Sequence, residues 1–202
     1  MSDDRYLTLA SESGGLYREK ASKFIAYAFP ITGEDDFMRR CALIAKKHHT
    51  CRHVCYAWVL GEKGDRYRAN DAGEPSGTAG KPILRQLQAA RVTFAAIVVV
   101  RYFGGTLLGK GGLVQAYGEA ARLSLVEATI TERIVREALI VTCGYALVEG
   151  VKNDVVVSEG DIVSAEYGEL CVLHVLIARG AVATFTERWR IAGAVVASDQ
   201  PK

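Results

Sequence analysis

Apolar positions alternate, then fall into helical spacing, in two successive cycles along the chain. Residues 16–19 and 23–30 read as a short strand pair around Ala21-Ser22. In the second strand Phe24, Ala26 and Ala28 share one face and Ile25, Tyr27 and Phe29 the other, so it is expected to be covered on both sides. Thr32 offers an N-cap, Glu34, Asp35 and Asp36 follow, and Phe37, Cys41, Ile44, Ala45 and His48 keep helical spacing past Lys46 and Lys47. Acid first and base last complements the helix dipole, which predicts a helix over 34–49. Residues 52–60 and 66–70, separated by the turn at 61–65, predict a hairpin. A loop with glycines at 73, 77 and 80 leads to a helix over 81–90 with Pro82 in its first turn. The unbroken apolar run at 94–102 suits a central strand. A second glycine-rich loop, 103–112, precedes a long helix over 113–128.

Beyond Arg136 the cycle restarts. Strand 139–143, helix 145–157, strands 161–167 and 170–178 joined at Gly168-Glu169, helix 181–191 and strand 194–197 follow in turn. The order β-α-β-β-α-β is the ferredoxin-like arrangement. The expectation is therefore an α+β chain of two domains, residues 1–133 and residues 134–202.

Composition narrows the classes. Half of the 202 residues are apolar, enough for one large core or two small ones. No apolar run approaches the roughly 20 residues that span a bilayer, and the polar opening Met1-Ser2-Asp3-Asp4-Arg5 is not a signal peptide. Five cysteines without a disulfide-scaffold pattern point to reduced thiols and a cytoplasmic protein. The net charge of +2 is uneven: residues 1–135 hold 19 Lys/Arg against 14 Asp/Glu, while residues 136–202 hold 6 against 9. That split points to an anionic partner for the first domain, nucleic acid among the candidates, and equally fits a mixed solvated surface.

Both glycine-rich loops run into helices. Free N–H groups at a helix start attract anions, and glycine lets a ligand approach the backbone. In the first loop Thr78, Gly80 and Lys81 are the candidate anion contacts; in the second, Arg101, Gly104, Gly105, Lys110, Gly111 and Gly112 are. Two such sites side by side would grip adjacent phosphates of an RNA backbone. The alternative is that the glycines only permit tight turns. The second loop also fits G-x-x-x-x-G-K, but Gly111 stands where an NTPase loop needs a magnesium-binding hydroxyl.

Asp71 and Glu74 are candidates for acid–base chemistry on a small phosphorylated or anionic metabolite, or for capping turns and pairing with Arg101 or Lys81. His48, His49, Cys51, His53 and Cys55 cluster in sequence, yet their spacing matches no zinc pattern. No metal, no cofactor and no catalytic residue is assigned. Arg52, Tyr56, Trp58, Arg66, Tyr67 and Arg68 would suit stacking on single-stranded RNA, or packing of the aromatics against a helix.

Three stretches carry a family likeness: Arg52-His53-Val54-Cys55-Tyr56-Ala57-Trp58, the run from Asn70 to Pro82, and the run from Val99 to Gly112, with Lys20-Ala21-Ser22-Lys23-Phe24-Ile25 as a fourth, shorter one. They resemble the YigZ/IMPACT family. The resemblance implies an N-terminal domain with the ribosomal-protein-S5-domain-2-like fold and a ferredoxin-like C-terminal domain. It also implies a translation-associated, regulatory role with RNA or ribosome-associated partners. Many relatives carry lysine where this chain has Leu107 and a small residue where it has Lys110, so a lysine contact does not transfer to Leu107.

Overall fold

The alternating segments assemble into antiparallel sheets in the computed structural model, which describes residues 4–199. They form two compact units, Tyr6–Arg133, and residues 134–199 together with residues 4 and 5. The first unit runs β1 (Arg5–Leu9), β2 (Ser13–Glu19), β3 (Ser22–Pro30), α1 (Glu34–Lys47), β4 (His53–Leu60), β5 (Arg66–Asn70), α2 (Gly80–Ala89), β6 (Ala95–Tyr102), α3 (Gly109–Val126) and β7 (Ile130–Ile134). Its main sheet has the order β2-β3-β6-β4-β5, and every neighbouring pair is antiparallel.

Pleat parity sorts the side chains of this sheet. Phe24, Ala26 and Ala28 join Cys55, Ala57 and Val59 and Ala95, Ile97 and Val99 under α2 and α3. Phe29, Trp58, Leu60, Ala96 and Val98 face the other way, where Phe37, Cys41 and Ile44 of α1 cover them. Both faces of β6 are thus sealed, as its unbroken apolar run requires. The α2–α3 face is anchored by Tyr117, fully buried and edge-on to Phe24 with ring centroids 5.1 Å apart.

Several boundaries differ from expectation. β1 and β7, unforeseen, pair with each other in a separate two-stranded sheet. The β2–β3 turn is centred on Lys20-Ala21, both at positive φ (44° and 64°), with Glu19 opposite Ser22. Gly33, not Thr32, occupies the α1 cap position; the Asp36 carboxylate instead accepts the Thr32 N–H at 3.2 Å. α3 starts at Gly109, so the last glycines of the second loop belong to its first turn.

The second unit runs β8 (Arg136–Cys143), α4 (Val148–Val157), β9 (Asp161–Tyr167), β10 (Cys171–Ala178), α5 (Val182–Ile191) and β11 (Val195–Ser198), with short 3-10 turns before each helix. Its antiparallel sheet order, β11-β8-β10-β9, is the ferredoxin-like one. Val141, Leu173, Val175 and Ile177 pack against Val151, Val155, Phe185 and Trp189 of the two helices. Asp154, buried between those helices, accepts the Trp189 indole N–H at 2.8 Å and is paired with Arg188. No helix among the described residues is long and apolar enough to cross a membrane.

Candidate functional site

An arginine near the end of a buried strand needs an acceptor, and the first loop supplies it. Arg101 lies on β6 opposite Phe24 of β3 and His53 of β4, on the α2–α3 face. It is only 8 % exposed. Its Nη1 donates to Glu74 Oε1 at 2.7 Å, and the Tyr117 hydroxyl donates to the same oxygen at 2.7 Å. Below them the Cys55 thiol donates to the Asp71 carbonyl at 3.0 Å and lies 3.4 Å from the Tyr117 hydroxyl. Burial pushes the Cys55 thiol up to about 12 and moves the Tyr117 phenol upward as well, so neither ionises near neutrality. The guanidinium is flanked by the rings of Phe24 at 5.6 Å and Phe103 at 5.5 Å.

The two glycine-rich loops have opposite fates. Asp71 turns its carboxylate onto the start of α2, where Oδ1 accepts the N–H groups of Ala79 (3.0 Å) and Gly80 (2.8 Å) and Oδ2 that of Gly77 (2.8 Å). Burial alone would raise this carboxyl; the three backbone bonds and the Lys81 charge more than reverse it and hold Asp71 below the usual range. The expectation of an external anion at this helix start is therefore corrected: the anion there is internal. Thr78 and Gly80 are buried, and the Thr78 hydroxyl donates to the Pro75 carbonyl at 2.6 Å. A Cβ on Gly80 would run into the Asn70 backbone at 2.5 Å, which is the reason for glycine there. Glu74, 3 % exposed at its side chain, is likewise occupied, so neither acid is placed for acid–base work on a substrate. Arg101, expected either as an anion contact or as the partner of a loop carboxylate, is one half of a buried pair with Glu74.

The start of α3 has no such plug. Leu108 holds its cap position and no side chain among the described residues caps it, while Gly105, Gly109, Lys110 and Gly111 are exposed. Gly104 is different: its backbone sits on the Lys20-Ala21 turn, where a Cβ would overlap the Ala21 backbone. Lys81 is exposed.

A cleft of about 590 Å³ opens beside this second loop, lined by residues 50–53, residues 101–103 and Leu107. His53 on its wall is fixed by a 2.8 Å hydrogen bond from Nδ1 to the Ala72 carbonyl. The histidines and thiols singled out from sequence do not converge on one point: Cys51 and His53 line this cleft, and His48 and Cys55 lie elsewhere. His48 is buried on the α1 face with each ring nitrogen 2.8 Å from a tyrosine hydroxyl, Tyr27 or Tyr102, whereas Cys55 is buried on the opposite face. Tyr56 and Trp58 pack beneath α1, while Tyr67 is 58 % exposed. Tyr117 and Phe103 were not foreseen as parts of the site. The available signal was Arg101 itself, a cation at an inward position of a buried strand.

The Impact N-terminal domain family model matches residues 20–125. The chain is 34 % identical over 171 residues to the Escherichia coli (strain K12) IMPACT family member YigZ, covering 84 % of each chain. It is 40 % identical over 143 residues to a Haemophilus influenzae IMPACT family member, covering 68 % of each. A crystal structure described as that of a hypothetical protein superposes with a TM-score of 0.73 at 29 % identity, over 98 % of this chain and 99 % of that one. With the family model spanning more than half of its residues, this chain belongs to the IMPACT family.

Proposed function

We propose that this protein is a cytoplasmic, translation-associated regulator that contacts RNA, alone or on the ribosome, through the second glycine-rich loop of its basic N-terminal unit. The carrying observation is the contrast between the two helix starts: a carboxylate fills the first, and exposed glycines with Lys110 surround the uncapped second. The surplus of five positive charges in residues 1–135 supports the same partner. The family resemblance supplies the translational context. The contact uses Lys110, Gly105, Gly109 and Gly111, with Lys81 and Arg52 as further exposed cations.

The test is fluorescence anisotropy of a labelled single-stranded RNA titrated with the full chain across 50–200 mM salt. Affinity is expected to fall steeply with salt, and Lys81→Ala plus Arg52→Ala plus Lys110→Ala to weaken it at least tenfold. Affinity indifferent to salt, or unchanged in the triple variant, rejects the reading.

A further inference from the structure

Arg101 carries more hydrogen-bonding capacity than the protein uses. Among the described residues Nη1 is its one hydrogen-bonded nitrogen, and Nε is buried with no partner at all. Buried donors in folded proteins are nearly always paired, because an unpaired one forfeits its hydration for nothing. Glu74 already balances the charge of Arg101, so the missing acceptor need not be another carboxylate; a water or a ligand oxygen entering by way of the cleft that Arg101 lines would supply it. Arg52, exposed on the same cleft, supplies the uncompensated positive charge that an anionic oxygen would need.

The rim is apolar in a specific way. Phe103 is 56 % exposed and Leu107 83 % exposed, both beside the cleft. The Arg101 guanidinium lies over the Phe103 ring, 5.5 Å from its centroid, and Phe103 still keeps 56 % of its surface exposed. An exposed phenyl beside a cation pair is the combination on which a nucleobase stacks while its phosphate is held. The volume of about 590 Å³ falls in the range of small-ligand sites and accommodates one nucleotide.

We propose that this cleft takes a single unstacked nucleotide, with its phosphate held by Arg52 and the unpartnered edge of Arg101 and its base on Phe103. This rests on the RNA reading and gives it its chemistry. The same chemistry is offered by a free nucleoside monophosphate, and the experiment separates the two sources.

Binding of the full chain to AMP, adenosine and inorganic phosphate is measured by calorimetry, and to single-stranded RNA by anisotropy, for wild type, Phe103→Ala and Lys110→Ala. Phe103 is exposed, and an unchanged melting temperature confirms that its variant is folded. AMP is expected to bind at least tenfold more tightly than phosphate or adenosine, and to shift the Arg101 Nε–H resonance where adenosine does not. Phe103→Ala is expected to weaken both AMP and RNA roughly fivefold or more while leaving the salt slope for RNA unchanged. RNA binding that keeps its salt slope and ignores Phe103→Ala overturns the nucleotide cleft and leaves the RNA reading standing. AMP binding that depends on Phe103 without RNA binding does the reverse, and identifies the ligand as a free nucleotide. Phosphate equal to AMP makes the cleft a bare anion site and also overturns the proposal.

Discussion

Arg101 and Glu74 show how much one buried pair can depend on its partner. Their side chains are 8 % and 3 % exposed, and Tyr117 donates to the same Glu74 oxygen as Arg101 does. Removing one member leaves the other charged and dry, which costs about 3–5 kcal/mol. Glu74→Ala is therefore expected to lower unfolding stability by that amount in urea melts, far more than an exposed change such as Lys81→Ala, which should stay within about 0.5 kcal/mol. A second residue-scale case lies in the β2–β3 turn, where exposed Ala21 sits at φ 64°. Glycine takes that conformation without the Cβ clash, at some cost in unfolded-state entropy, so Ala21→Gly should stabilise the chain by about 0.5 kcal/mol in the same melts. The side of the sheet on which Arg101 lies is legible in sequence, because it keeps parity with Ile97 and Val99. Its partner is legible only as one alternative among several: Glu74 is 27 positions away, in a loop whose path no periodicity encodes.

Helices and strands were legible where one residue type repeats and obscure where a distant group completes them. α1 follows from its apolar spacing and end charges. α2 follows from Pro82 after the glycine-rich loop, but its capping does not. Ala79 at the cap position has no acceptor, and the cap arrives from Asp71, six to nine residues upstream of the amides it binds. Asp71→Ala is expected to cost about 1–2 kcal/mol, at the upper end for a lost cap, because three amides lose their acceptor together. The depressed Asp71 carboxyl adds a pH signature: its stabilisation is complete above the ordinary carboxylate range and is lost as pH falls through the lower folded-state value. The end of α1 carries a second signature. Burial, with the charges of Lys47 and Lys23, pulls His48 below its ordinary 6.5. The unfolded chain then binds the proton first as pH drops. Stability should be full above pH 6.5 and decline below it, and His48→Asn should flatten that part of the profile in thermal melts taken between pH 7.5 and 5.5. β1 and β7 escaped notice because each is five residues long and, outside a larger sheet, neither shows a run of buried alternation.

At the scale of the molecule, the two units divide the charge between them. Residues 1–135 carry the surplus, and the second part of the chain is net acidic. An RNA contact that arises from overall charge would respond alike to the loss of any exposed cation. One that arises from the α3 start would respond to position. Lys110 is exposed in the first turn of that helix, whereas Arg190 is exposed on α5 of the acidic unit. Each substitution by alanine removes one positive charge, so the net charge of the chain falls equally in both. Each phosphate contact on a single strand contributes about 0.7 to the slope of log affinity against log salt. Lys110→Ala should therefore flatten that slope by roughly 0.7–1 and weaken RNA binding at low salt, while Arg190→Ala should leave both unchanged. Equal effects of the two variants would show that the contact follows net charge and that the uncapped helix start has no part in it.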